Sequence, residues 1–470
     1  MPTSVLNFDS EGEYSFNYAS YEREDVISRI MTSNKTGSQQ FILSSSSNLQ
    51  PEKNTREPSK PSRWRMLVIM LACLYLNYLT FGMATCLGVV YVALIEDLQC
   101  LRSEAALVQS LYLGLSLGGT ILFSRPLTKY DTGYFVMIAN TICCTAFALC
   151  MAANNVWVVI VLVGIIGGLS VSVSCLSAAI VVNWTFGENR RVALSVLTLG
   201  AALAQTTLPF LTNFLIDQYG WRGCLLILGG LFLNSAVFGF VIHLSKDYFH
   251  KPTPNNISKK SPAIFTMIKD VAFLIFLSTM FIFPGLGPVE QWFVVDLSVL
   301  KGYTSQEGTV LLSLNGVSGI FARVFSALYI KFYPKRRSEH VLCVAFLLWG
   351  LAHYLIVTVP YYWAMFMVML LRGFASSIVV AFIPALQIAL RGPDEYPIVA
   401  AMTFFVNGVG EILGGFLGGY SADVTGSYNL IFYIAAGAFV YEALSVELIS
   451  SILKKRDRKE ISQTYEKLPD

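Results

Sequence analysis

Charge is what this sequence lacks most. Only 13% of its 470 residues are Asp, Glu, Lys or Arg, while 54% are hydrophobic. A soluble chain carries about 25% charged residues, and a larger soluble core does not account for so deep a deficit. The net charge of +3 and sequence pI of about 8.3 lack the strong basic excess of a nucleic-acid binder. No nucleic-acid partner is expected.

Other absences narrow the chemistry. No P-loop, HExxH or paired-carboxylate pattern occurs, so neither an enzyme nor an ATP-driven pump is expected, and no cofactor or metal. Energy would have to come from gradients or from the solute itself. The nine cysteines form no CxxC or Cys/His cluster and sit mostly in apolar runs. They read as small buried hydrophobes, not as disulfides or metal ligands. The stretch after Met1 has no apolar core of the kind a cleavable leader needs, so the first hydrophobic segment would lead insertion.

Long apolar runs are what the chain has in abundance. A bilayer core takes about 20 apolar residues per helix. Spans are expected near 66–92, 105–127, 133–153, 156–182, 192–216 and 223–243, then near 271–295, 306–331, 340–358, 361–389, 397–419 and 428–452. The fold class is therefore an all-α membrane protein, with twelve transmembrane helices in two six-helix bundles. Residues 1–63, rich in Ser, Asn, Glu and Gln, read as a disordered cytoplasmic tail. The bundles occupy 64–243 and 271–452, joined by a cytoplasmic linker at 244–270 and followed by a cytoplasmic tail at 453–470.

The loop charges orient the chain. With the N-terminus inside, the five cytoplasmic loops hold fourteen Lys and Arg, among them Arg190, Arg191, Lys246, Lys269 and Arg391. The six outer loops hold three, Arg102, Arg222 and Lys301. That bias follows the positive-inside rule and predicts cytoplasmic termini. The halves also echo each other. Lys129-Tyr130 and Lys331-Phe332 lie 202 residues apart, and Asp217-Gln218-Tyr219-Gly220 and Asp423-Val424-Thr425-Gly426 lie 206 apart. Such echoes favour a duplicated bundle, the arrangement of the major facilitator fold.

Several segments resemble the animal monocarboxylate transporter family, a branch of the major facilitator superfamily. They are Asn189-Arg190-Arg191-Val192-Ala193, Tyr219-Gly220-Trp221-Arg222-Gly223, Leu226 to Asn234, Leu311 to Arg323, and Gly414 to Asp423. The resemblance covers about 64–452. It implies a plasma-membrane carrier of small organic anions, and a single-pass glycoprotein chaperone for surface delivery. The departures are specific. The family's opening Asp-Gly-Gly-Trp-Gly-Trp aligns with Lys60-Pro61-Ser62-Arg63-Trp64-Arg65, which keeps one tryptophan. Where lactate-type members carry a lysine in the first helix, this chain has Thr85. Where they carry an acid in the eighth, it has Gly319, while the arginine one turn later is kept as Arg323.

Charges at bilayer depth are costly and rare without a role. Arg323 is expected past the midplane toward the cytoplasm, where its planar fork would suit a carboxylate. The alternative is a structural partner or a snorkelling side chain. Arg372 and Glu411 fall at similar depth on neighbouring segments and are expected to pair, as a structural or gating salt bridge. Glu290, beside Pro288, is the candidate proton site. Asn77, Thr85, Asn315 and Asn407 would complete a binding pocket or else hydrogen-bond between helices. His353 reads as a packed histidine before it reads as a proton relay. Pro284, Gly285, Gly287 and Pro288 interrupt the seventh segment, and such breaks flank binding sites in transporters.

Three readings stay open at this stage. The first is a secondary or facilitative transporter of a small organic anion, working by alternating access. The second is a proton-independent carrier of aromatic amino acids or other larger solutes on the same fold. The third is a non-transporting membrane sensor or scaffold.

Overall fold

The computed structural model describes residues 62–186, 190–249, 267, 269–332 and 339–466. The expected N-terminal tail lies almost wholly outside the described residues, as do most of the expected linker and the basic run Lys335 to Arg337.

The described residues fold as helices and short links. Helix α1 is Arg63–Leu98. Helix α2 comprises Arg102–Gly118 and Thr120–Lys129, bent by 40° at Gly119. Helix α3 is Thr132–Leu149 and α4 is Val156–Phe186, with a π-helical stretch at Ile160–Gly167. Helices α5 and α6 share the run Arg190–Leu244 and part at Gly220. In the second half, α7 is Val271–Leu300, α8 Ser305–Phe332 and α9 Glu339–Thr358. Helices α10 and α11 share the run Tyr362–Thr425 and part at Gly392, and α12 is Asn429–Glu466.

Among the described residues, ten stretches are long and apolar enough to cross a membrane, eleven with the bent α2. Dividing the 49-residue stretch Val196–Leu244 at Gly220 makes the count twelve. Gly220 and Gly392 have φ of 67° and 78°, a region that L side chains rarely adopt, so each lets one near-continuous run turn back as two helices. Helix α12 outruns the expected span. It stays helical to Glu466 through a stretch read as tail, because Lys454, Lys455 and Arg458 are good helix formers.

Each half has its own core. In the first, Leu87 of α1, Tyr112 of α2, Phe147 of α3, Val163 of α4, Leu208 of α5 and Phe232 of α6 converge. In the second, Phe276 of α7, Phe346 of α9, Phe382 of α10 and Phe439 of α12 do so. The outer surface stays apolar, with Phe214, Leu233, Val237, Tyr433 and Leu444 exposed. Backbone groups satisfied within helices and apolar side chains facing outward are what a lipid bilayer requires.

The turn Tyr219-Gly220-Trp221-Arg222-Gly223 shows how a short motif holds a half together. Gly220 supplies the reversal. Trp221 Nε1 and Arg222 Nη1 both donate to Asp97 Oδ2 on α1, at 2.8 and 2.7 Å. Arg222 Nη2 reaches the Ala153 carbonyl beyond α3 at 2.9 Å. At the other end of the bundle, latches also stay within one half. Asp131 takes His243 Nδ1 at 2.7 Å, and Asp270 takes Arg456 and, at 3.8 Å, Arg391. Burial works against the Asp270 charge, but the Arg456 guanidinium, the Ala272 N–H and Arg391 hold its carboxyl below the usual range.

Two seams join the halves. Helix α5 meets α8, with Gly316 against Ala202 and Thr206. Helix α2 meets α11, with Gly114 and Gly118 against Gly408 and Ile412, and Gly419 against Arg102 and Ser103. The lack of side chains lets these backbones touch, the packing mode expected where lipid gives no hydrophobic drive between helices. A Cβ on Gly408 would lie 2.7 Å from Gly118 Cα, so no side chain fits there without separating the helices. Gly408→Val is therefore expected to lower thermal stability in detergent by about 1–3 kcal/mol, the usual cost of overpacking. Gly437→Val, whose Cβ would meet nothing within 4 Å, should leave the melting temperature close to wild type.

Candidate transport site

Helix α7 breaks where its prolines and glycines predict. Its first segment, Val271–Leu286, contains Pro284, and Gly287 caps it with its N–H on the Phe283 carbonyl at 2.8 Å. Pro288 adopts φ −80° and ψ 5°, and the helix resumes at Val289–Leu300. The first segment packs tightly on α11, with Gly285 facing Gly410 and Gly414. The break frees the Gly287 carbonyl, which accepts from Arg372 Nη2 of α10 at 3.0 Å.

A cluster of charge forms around that break. Glu290, with no exposed surface, takes the Arg372 guanidinium on Oε1. His353 Nε2 of α9 lies 3.1 Å from Glu290 Oε2. Arg372 also lies over the Trp349 ring, 4.7 Å from its centroid. His353 is stacked among Trp349, Phe432 and Phe439. The expected Arg372–Glu411 pair is thus corrected: Arg372 pairs with Glu290. That partner comes from the α7 break, which matching the depths of α10 and α11 could not reveal. Glu411 is 4% exposed and its Oε2 has no hydrogen-bond partner. The reading of His353 as packed captures its rings but misses its contact with Glu290.

A second polar group ties the halves together at the end holding the α1–α2 link. Arg102 Nε donates to Asp296 Oδ2 at 2.9 Å, and Tyr428 OH donates to the same oxygen at 2.6 Å. Tyr91 and Tyr428 share a hydrogen bond at 2.9 Å. The backbone N–H groups of Arg102 and Ser103, at the N-terminus of α2, donate to Asp423 of α11 at 2.9 and 2.8 Å. Gly88 of α1 packs on the Gln291 carbonyl of α7, and Gln109 Nε2 donates to the Trp292 carbonyl at 3.4 Å. Sequence reasoning passed over this lock, although Asp296 inside an apolar run was a legible signal.

The remaining expected residues scatter. Thr85 donates to the Gly82 carbonyl of its own helix at 2.7 Å. Asn77 Nδ2 donates to the Leu197 carbonyl of α5 at 2.6 Å, within the first half. Asn407 lies between α11 and α7, where its amide, turned to place the nitrogen toward them, donates to the Thr403 and Met280 carbonyls. Asn315 is buried on α8 against Gly373 of α10, and neither of its amide atoms has a partner. Arg323 stands on the α5–α8 seam, where Nη1 donates to the Thr198 carbonyl and buried Nε has no partner. No ion pair joins it to an acid among the described residues. Of the candidate residues, Glu290, Arg372 and His353 thus meet at the α7 break, while Arg323 stands alone among them on the α5–α8 seam.

Two six-helix halves meeting along glycine-lined seams, with a broken helix between them, define a secondary-transporter architecture, and the family model of the Major Facilitator Superfamily matches residues 70–414. The chain belongs to that superfamily. Its curated relatives are monocarboxylate transporters, of which it is a divergent relative. It is 23% identical to Monocarboxylate transporter 6 of Homo sapiens, over 83% of this chain and 81% of that one. It is 24% identical to Monocarboxylate transporter 2 of Mesocricetus auratus, over 86% and 89%, and 22% identical to Monocarboxylate transporter 12 of Xenopus laevis, over 85% and 92%. Among solved structures, a mutant of the peptide transporter POT covers 84% of this chain and 96% of its own at a TM-score of 0.66 and 12% identity. A mutant of the nucleoside transporter NupG covers 81% and 99% at 0.64 and 14%. These structures share the fold.

Removing one partner of a buried ion pair costs about 3–5 kcal/mol, because the other charge is left unanswered. Glu290→Gln should thus destabilise the protein strongly in a thermal melt. Adding Arg372→Met to it should recover most of the loss, and a double-mutant cycle measures the coupling.

Proposed function

We propose that this protein is a secondary or facilitative transporter of a small organic anion of the monocarboxylate kind. It works by alternating access, with both termini in the cytoplasm of a cell bounded by the plasma membrane that holds it. The observation that carries this reading is Arg323. It is an arginine at bilayer depth, on the seam between halves, held by a carbonyl of α5 and by no acid among the described residues. A cation so placed is suited to a transported anion, because a guanidinium forks onto a carboxylate in a geometry a lone carbonyl cannot fill. Asn315, eight residues before Arg323 on α8 with both amide atoms unpartnered, supports the same reading.

The distribution of latches supports alternating access. The Arg102, Asp296, Asp423, Tyr91 and Tyr428 group crosses between halves at the end that the loop charges assign to the outside. The Asp131 and Asp270 latches, at the cytoplasmic end, each stay in one half. Among the described residues, side-chain cross-bonding at the outer end, with these inner latches each kept within one half, is the pattern of an inward-facing state.

The relatives named monocarboxylate transporters support the substrate class. The test is uptake of a panel of radiolabelled monocarboxylates into proteoliposomes. Wild type should accumulate at least one, and Arg323→Ala should lose that uptake while keeping a wild-type melting profile. Arg323→Lys should recover little, since a point charge does not replace the fork. Equal uptake by Arg323→Ala would remove the anchor assignment.

A further inference from the structure

The contacts of His353 carry more than packing. Its Nδ1 lies 3.0 Å from the Trp349 carbonyl, which can only accept, so Nδ1 bears a hydrogen. In a neutral ring, Nε2 then holds a lone pair. It faces Glu290 Oε2 at 3.1 Å, and an ionised carboxylate oxygen offers only lone pairs. The two repel unless one of them carries a proton.

The charge balance leads to the same place. With both ionised, Glu290 and Glu411 would bring two negative charges against the one positive charge of Arg372, all buried. With a neutral His353 the cluster holds one uncompensated negative charge at bilayer depth, and one added proton brings it to zero. The other elements packed here do not change that sum. Helix α2 presents Gln109 and Ser110, which are uncharged, and Glu442 of α12 lies toward Thr279, eleven residues before Glu290 along α7.

We infer that the α7 break is a binding site for one exchangeable proton, held between His353 and Glu290, with Arg372 as fixed counter-charge and Glu411 as the exchange partner. Glu411 suits that role by position. At 100° per residue, Gly408, Ile412 and Gly415 of α11 face α2, Gly410 and Gly414 face α7, and Glu411 falls on the arc between them. That arc opens or seals as α2 moves against α11. The residues after Glu290, Gln291 and Trp292, make the cross-half contacts with Gly88 and Gln109. The proton therefore sits on the element that closes the outer end. Deprotonation leaves a net charge that a sealed bundle disfavours, so the loaded site is the one that passes between states.

This inference rests on the transporter reading for its second arm only. In the first, infrared difference spectra between acidic and alkaline pH are recorded on protein in lipid nanodiscs. Wild type should show imidazole and carboxyl bands titrating together. His353→Gln should lose the share of both changes that the buried pair contributes, and His340→Gln, at an exposed site, should keep that share. Identical spectra for wild type and His353→Gln would overturn the site. In the second arm, radiolabelled lactate uptake is driven by an inward-acid gradient across liposomes. Wild type should be stimulated by the gradient, and His353→Gln and Glu411→Gln should lose that stimulation. Lactate uptake by wild type with both variants still stimulated would overturn the coupling and leave the transporter reading intact. No wild-type uptake of any monocarboxylate would count against transport, and the infrared arm alone then decides the proton site.

Discussion

A positive charge deep in a chain this poor in charge has to be answered, and Arg372 is answered by Glu290 across the break in α7. Much of the second half is arranged around that pair. Pro284 and Gly287 end the first helical segment where the Gly287 carbonyl can take Arg372 Nη2. Gly285, Gly410 and Gly414 bring α7 and α11 close enough to keep water from the pair. Trp349 covers the guanidinium face, and its carbonyl orients His353. Removing any one of these leaves a charge exposed to hydrocarbon or a polar atom without a partner.

The fold was legible because membrane helices must satisfy their own backbone, so length and hydropathy alone locate them. The α7 break was legible for the same reason, since two prolines and two glycines within five residues cannot continue a helix. Partner choice was not. Arg372 and Glu411 matched in depth, but depth along two helices says nothing of which face each side chain leaves. The lock residues Arg102 and Asp296 lie 194 positions apart, and only the docking of the two halves brings them together. Thr85, assigned to a pocket by alignment, spends its hydroxyl on its own helix.

The two polar groups divide the labour between rigidity and motion. The charge cluster lies wholly within the second half, so it can keep its internal bonds while that half tilts. The Asp296 and Asp423 group spans both halves, and in the proposed alternating access it is the one that breaks for its end of the bundle to open. Residues 290 to 296 of α7 link them, running from the buried pair to the lock within about two helical turns. A change of charge at one end of that segment reaches the other through a single stiff piece of helix.

Helix α12 does not stop at the membrane. Its spanning portion ends at Arg456, which grips Asp270 at the start of α7, yet the helix continues to Glu466. At ~1.5 Å per residue this is a rod projecting roughly 15 Å into solvent. Clamped at its base to the second half, it acts as a lever arm. Under the proposed alternating access, a few degrees of rocking in the bundle would become a displacement at its tip.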